Sequence, residues 1–224
     1  MNDECICFSL LDCIDKDSLI SLDTSHEHHE HDSECDDSSR DLTTYKDVDE
    51  HVWLSLTNAK EICKKIAEKI SIVDPENKDT YQSNLNSYTD KLSALHEETN
   101  NFFSKQDSPY LIVADRFPFV YLFKDYNISF DSAFSGCTSE TDATYENIIK
   151  LCQSVEKNNI DSLIVLEKST SNISSSIASS VNKDMQIFTI NSLQSVSRAE
   201  INNGFNYYDT MKNNVESLKK ALKE

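Results

Sequence analysis

Apolar residues recur at spacings of three and four through Ala59, Ile62, Cys63, Ile66 and Ile70. That period lays them on one stripe and predicts a helix over 55–73. The phrase DPEN at 74–77 then interrupts the pattern. Asp74 can cap a second helix, and Pro75 suits its first position, where the missing N–H costs nothing. The second helix carries Tyr81, Leu85, Tyr88, Leu92 and Leu95 on one face and runs to about Ser104. The two form a long, nearly continuous helical stretch.

From residue 110 the period changes. YLIVA at 110–114 is a short unbroken apolar run, the mark of a strand buried on both faces. DRFPFVYLFKDY follows as a short helix, and ISFDSAF at 128–134 as a second strand. DATYENIIKLCQSVEKNN reads as a helix with Ile148, Leu151, Cys152 and Val155 on one face. SLIVLE at 162–167 is a third strand, SNISSSIASSV a Ser-rich helix, and MQIFTI at 185–190 a fourth strand. An amphipathic helix from about Tyr207 to Leu222 closes the chain. Strands alternating with helices predict an α/β fold whose four-stranded, mostly parallel sheet is flanked by helices and joined by right-handed crossovers. The division expected is a short apolar segment within 1–22, a flexible polar tract over 23–48, a helical segment over 49–105 and an α/β lobe over 106–224.

Charge alters this picture at one end. Residues 1–50 hold 16 acidic and 3 basic side chains, while 51–224 hold 23 and 18. A nearly balanced body thus follows a strongly acidic head, which argues against nucleic acid as a partner, because phosphate repels such a surface. Cations are the natural ligand. The seven cysteines are odd in number and form no CxxC pair, so reduced thiols are expected rather than a disulfide framework. The start, MNDECICFSLLDCID, is acidic where a signal peptide is basic. SLLDC lacks the hydrophobic run of a lipoprotein cleavage site, and no apolar run is long enough to span a membrane.

The candidate chemistry is metal binding. Residues 25–37, SHEHHEHDSECDD, concentrate His26, His28, His29 and His31 among six carboxylates. Imidazole suits zinc, copper and nickel; carboxylate alone would suit calcium or magnesium. Nothing in the tract fixes its ligands, so loose geometry and modest affinity are expected. Strand ends supply a second set, because ligands of open α/β sheets bind beyond the carboxyl ends of the strands. Asp115 and Glu167 sit there, with Gly136, Cys137 and Glu140 after the second strand and Asn191 after the fourth. Each carboxylate could equally cap the helix that follows. His51, beside Trp53, could be a ligand or a packed, hydrogen-bonded residue. His96, among Glu97 and Glu98, reads as a solvated surface residue. No P-loop, HExxH, nucleophile elbow or Gly-rich dinucleotide turn is present, and no catalytic triad can be assembled.

The stretch DEHVWLSLTNAKEICKKIAEKISIVDPENKDTYQSNLNSYTDKL, followed by VADRFPFVYLFKDYNISF, resembles the zinc- and manganese-binding solute-binding proteins of ABC importers, the TroA-like or cluster A-I family. That family places an Asp-Pro-His-(Val/Ile)-Trp phrase, a helix, Asp-Pro-Glu-Asn and a Tyr-bearing helix in this order, often with a His- and acid-rich loop just before the phrase. The resemblance implies two α/β lobes joined by a long backbone helix, with metal held between them. It implies that His51 is a ligand and that residues 1–22 are a remnant of an N-terminal lobe, the rest of which has no counterpart here. A second ligand position falls at Ala114, with Asp115 adjacent, and an acidic one falls at neutral Asn191. Either Asp115, Glu140 or the loop histidines complete the site, or the chain does not hold metal tightly there.

The expected function is therefore a non-enzymatic one: an extracytoplasmic component that captures zinc, with manganese second, and delivers it to a membrane permease. Cell-surface location would follow from the resemblance, although no export signal is visible. A lobe without its partner should expose an apolar face and associate weakly. The competing expectation is a stand-alone His-rich metal buffer or interaction module with no role in transport.

Overall fold

The computed structural model describes residues 7–21, 48–134, 143–170 and 172–222. His26, His28, His29, His31 and Glu140 lie outside the described residues.

Helix α1 spans Leu56–Val73 and α2 spans Lys78–Phe103, joined by a 3-10 turn at Pro75–Asn77. Ser55 caps α1, its Oγ accepting from the Asn58 N–H at 3.0 Å. Pro75 takes the first position of the turn, as expected. The Asp74 side chain does not cap a backbone N–H of the turn. Its carboxylate instead accepts from Asn77 Nδ2 and the Tyr81 hydroxyl, so side chains fix the bend.

Four parallel strands follow: β1 (Tyr110–Val113), β2 (Ser129–Ser132), β3 (Ser162–Leu166) and β4 (Gln186–Ile190), in the order β2-β1-β3-β4. Tyr110 pairs with Ser129 at one end of the β1–β2 ladder and Val113 with Ser132 at the other. Ser162 through Leu166 pair in register with Gln186 through Ile190. The crossovers carry α3 (Val120–Asp125), α4 (Tyr145–Lys157) and α5 (Ile173–Ser180). After β4 come α6 (Arg198–Asn202) and α7 (Tyr207–Ala221).

The sheet is the middle of three layers. Leu111, Val113 and Ile164 join a core with Leu92, Leu95 and Phe103 of α2, Leu122 and Phe123 of α3, and Met211 and Leu218 of α7. Ile112, Ala114 and Leu163 join another with Leu151 and Val155 of α4 and Ile173 and Ile177 of α5. Alternate residues of one strand thus enter opposite cores, which is why the strands read as unbroken apolar runs. Each fully buried side chain of this size contributes roughly 1.5–3 kcal/mol of burial free energy. Successive connections leave β1 toward β2 and β3 toward β4. The strand order therefore reverses between β1 and β3, and a crevice opens there at the carboxyl ends.

Two expectations about packing need correction, and one helix was missed. The apolar stripe of α1 is buried only in its first half: Ala59 and Ile62 are covered, whereas Ile66 and Ile70 are 40% and 38% exposed. Ile62 shares a small core with Cys13, Ile14, Val52 and Tyr121; Ile66, Ile70 and Val73 line an open groove with Phe8 and Tyr81. His96 is half-buried rather than solvated, with Nδ1 2.9 Å from the Tyr126 hydroxyl. Helix α6 went unread, although Ser197 and Glu200 carry the S-x-x-E signature. Here the Ser197 hydroxyl takes the Glu200 N–H, and the Glu200 carboxylate takes the Ser197 N–H.

Candidate metal centre

His51 is built into the molecule from behind. Ser21 and Val48 form an antiparallel bridge, and the Asp49 N–H donates to Ile20 O at 2.9 Å. Tyr121, from the first crossover helix, donates its hydroxyl to Asp49 O at 2.8 Å and accepts from the Ile20 N–H at 3.1 Å. Asp49 is consequently only 2% exposed. Its Oδ1 accepts the His51 N–H at 2.9 Å and lies 3.1 Å from His51 Nδ1. The imidazole is fully buried and meets Trp53 edge-on at 5.3 Å. Trp53 is tied in turn, its Nε1–H donating to Ser192 O at 3.1 Å and its carbonyl accepting from the Tyr207 hydroxyl at 2.7 Å. Burial pushes the Tyr207 phenol well above its ordinary range, so this donor stays protonated at any physiological pH.

These contacts decide the tautomer. With Asp49 accepting at Nδ1, the proton of neutral His51 sits on Nδ1 and the Nε2 lone pair points away from the carboxylate. Nε2 lies 2.7 Å from Gln194 Nε2, which donates to it, and 3.9 Å from Glu50 Oε1. Gln194 and Glu50 are both exposed, so Nε2 faces two side chains at the molecular surface.

The strand ends converge close by. Asp115, Arg116, Glu167, Lys168, Ser192 and Gln194 line one cavity of about 280 Å³. Asp115 is buried, and its oxygens accept from the Arg116 N–H at 2.8 Å and the Leu166 N–H at 3.4 Å, linking the ends of β1 and β3. Both Glu167 oxygens hold Ser192. The Asn191 side chain accepts from the Leu193 N–H at 2.8 Å and so closes a turn. Ala114 is fully buried in the core. Among the described residues no three His, Cys, Asp or Glu side chains converge on one point. What the fold brings together is one oriented imidazole with a carboxylate behind it and an amide in front. Neither Asp49 nor Gln194 was singled out from the sequence. Asp49 had a signal, the Asp-x-His spacing; Gln194 had only its place just beyond β4, at the same end of the sheet as Asp115 and Glu167.

Residues 10–221 match the family described as ZnuA, zinc-uptake complex component A, periplasmic. The chain belongs to this family. It is 33% identical over 177 residues to the metal ABC transporter substrate-binding lipoprotein ScbA of Streptococcus cristatus, covering 78% of this chain and 55% of that protein. It is 32% identical over 177 residues to the manganese ABC transporter substrate-binding lipoprotein PsaA of Streptococcus mitis, with the same coverage. Among solved structures, the metal-dependent lipoprotein YcdH of Bacillus subtilis matches with a TM-score of 0.65 at 27% identity, covering 77% of this chain and 64% of that one. The α/β architecture is thus that of ZnuA-type binding proteins. The chain spans about half the length of the curated relatives it matches.

Proposed function

We propose that this chain is the metal-capturing part of an ABC importer's substrate-binding component and that His51 is the imidazole that meets the ion. The observation that carries this reading is the buried Asp49–His51 pair, with Nε2 directed at an exposed amide. The carboxylate behind the ring holds the proton on Nδ1 and leaves the Nε2 lone pair facing outward, the arrangement that metal-binding histidines use. The ion displaces the Gln194 N–H from Nε2, and Gln194 turns its amide so that Oε1 faces the metal. No covalent bond is made or broken, so the chain is a carrier and not an enzyme. The cargo is a divalent transition ion, with zinc ahead of manganese because the nitrogen donor is imidazole.

Residues 1–22, 23–48, 49–105 and 106–224 act in this reading as a remnant of a first lobe, a metal-collecting loop, a helical backbone and a second lobe. In the sequence His26, His28, His29 and His31 fall between Ser21 and Val48, which bridge each other three residues before His51. An ion caught on the loop is therefore tethered near His51 at raised effective concentration. Asp115, and Glu140 from the sequence that follows β2, are the carboxylates proposed to complete the shell. The partner is a membrane permease, and the working location is outside the cytoplasm.

A second reading rests on the lack of a three-ligand cluster among the described residues: a His-rich metal buffer in which the lobe is only scaffold. Native mass spectrometry and chelator competition separate the two. The importer reading expects one zinc to remain on a chain lacking residues 25–37, with looser ions lost. Loss of every zinc with the loop would leave only the buffer.

A further inference from the structure

Every polar backbone group of the turn after β4, from Asn191 through the Leu193 N–H, is held by a side chain. The Asn191 N–H donates to Asn214 Oδ1 at 2.7 Å, and Asn191 O accepts from Asn214 Nδ2 at 2.8 Å. The Ser192 N–H donates to Glu167 Oε2 at 2.9 Å and the Ser192 hydroxyl to Glu167 Oε1 at 2.6 Å. Ser192 O receives Trp53 Nε1–H, and the Leu193 N–H reaches Asn191 Oδ1. Inside this clamp Leu193 adopts φ of 64°. That is the left-handed region, which a γ-branched L-residue occupies only when its surroundings over-determine it. The consequence lies one residue on: Gln194 emerges aimed at His51 Nε2, 2.7 Å away.

We propose that Glu167 is a positioning residue for the metal site: by clamping Ser192 it holds Leu193 left-handed and so delivers the Gln194 amide to His51. This deepens the metal-capture reading and rests on it. Both Glu167 oxygens already serve Ser192, one on its N–H and one on its hydroxyl, so Glu167 acts through the turn and not as a ligand. A carboxylate is needed there because both partners are donors. A glutamine brings one oxygen and one NH₂, and cannot accept at both ends.

The test uses Glu167→Gln, with Ser192→Ala as a milder variant that folds even if the first does not. Two readouts are taken on the full chain. The first is metal-free: the ¹⁵N resonance of His51 Nε2 and the side-chain amide signals of Gln194 report their hydrogen bond. The second is zinc affinity by chelator competition. In Glu167→Gln the His51–Gln194 bond is expected to be lost and the zinc dissociation constant to rise about tenfold, the lower end for losing an outer-shell partner. Adding Leu193→Gly, which reaches positive φ without strain, should restore part of both. A purely structural role for Glu167 would not be rescued by relaxing Leu193. Persistence of the His51–Gln194 bond in Glu167→Gln and Ser192→Ala overturns the positioning role. Should that bond disappear while zinc affinity stays at the wild-type value, the positioning holds and the metal-capture reading is what fails.

Discussion

His51→Ala is expected to weaken zinc binding at the lobe site by about a hundredfold and to lower folding stability by about 2–4 kcal/mol. The affinity loss follows from removing the imidazole that Asp49 orients, in a site where outer-shell changes alone cost ten- to a hundredfold. The stability loss has two sources. A fully buried ring is deleted, leaving a cavity against Trp53. Asp49, 2% exposed, keeps the backbone N–H of residue 51 but loses its ring partner, and a buried carboxylate short of a donor is costly. Denaturant unfolding in zinc-free buffer isolates the second effect, and competition titration on the chain without residues 25–37 isolates the first. Unchanged stability would mean that the pair is not buried as described; unchanged affinity would place the metal elsewhere.

Gln194→Glu is the substitution with the largest expected gain. The side chain keeps its length and reach, but the amide that meets Nε2 at 2.7 Å becomes a carboxylate. A charged acceptor bonds roughly twice as strongly as a neutral one, and it attracts a dication as the amide cannot. Zinc affinity should rise about tenfold to a hundredfold. In the metal-free chain the carboxylate can face Nε2 favourably only if the ring is protonated, so the latch on the unprotonated ring is lost as well. Isothermal titration with a competing chelator reads the change directly. An affinity equal to or below that of the wild type would show that Gln194 does not face the ion.

Much of this molecule was legible from its residues. Unbroken runs such as YLIVA, too short for a buried helix, read as strands covered on both faces, and the structure puts Leu111 and Val113 in one core and Ile112 and Ala114 in the other. Helix α1 was placed to within a residue at its start from its apolar stripe, and the structure shows Ser55 capping it there. What periodicity cannot report is which half of a stripe finds a partner, and Ile66 and Ile70 look no different in sequence from Ile62. His96 was misjudged for the same reason: its neighbours Glu97 and Glu98 are exposed, but its ring reaches Tyr126, thirty positions away. The site divides along the same line. His51 stood out through its phrase and Asp49 lay two residues from it, whereas Gln194 is brought to His51 across 143 residues by a turn whose geometry depends on Glu167. Such a constellation is a product of tertiary closure, and no local pattern encodes it.

The most direct test of His51 as the metal's imidazole is a long-range ¹H–¹⁵N spectrum of the histidine rings during zinc titration of the full chain. In metal-free protein His51 should appear as the neutral Nδ1–H tautomer. At one equivalent of zinc its Nε2 resonance should move by the amount typical of coordination while Nδ1 keeps its proton, with the signals of His26, His28, His29 and His31 moving only at higher zinc. If the first equivalent shifts the loop histidines and leaves His51 untouched, His51 is a packed core residue and the metal-capture account is wrong.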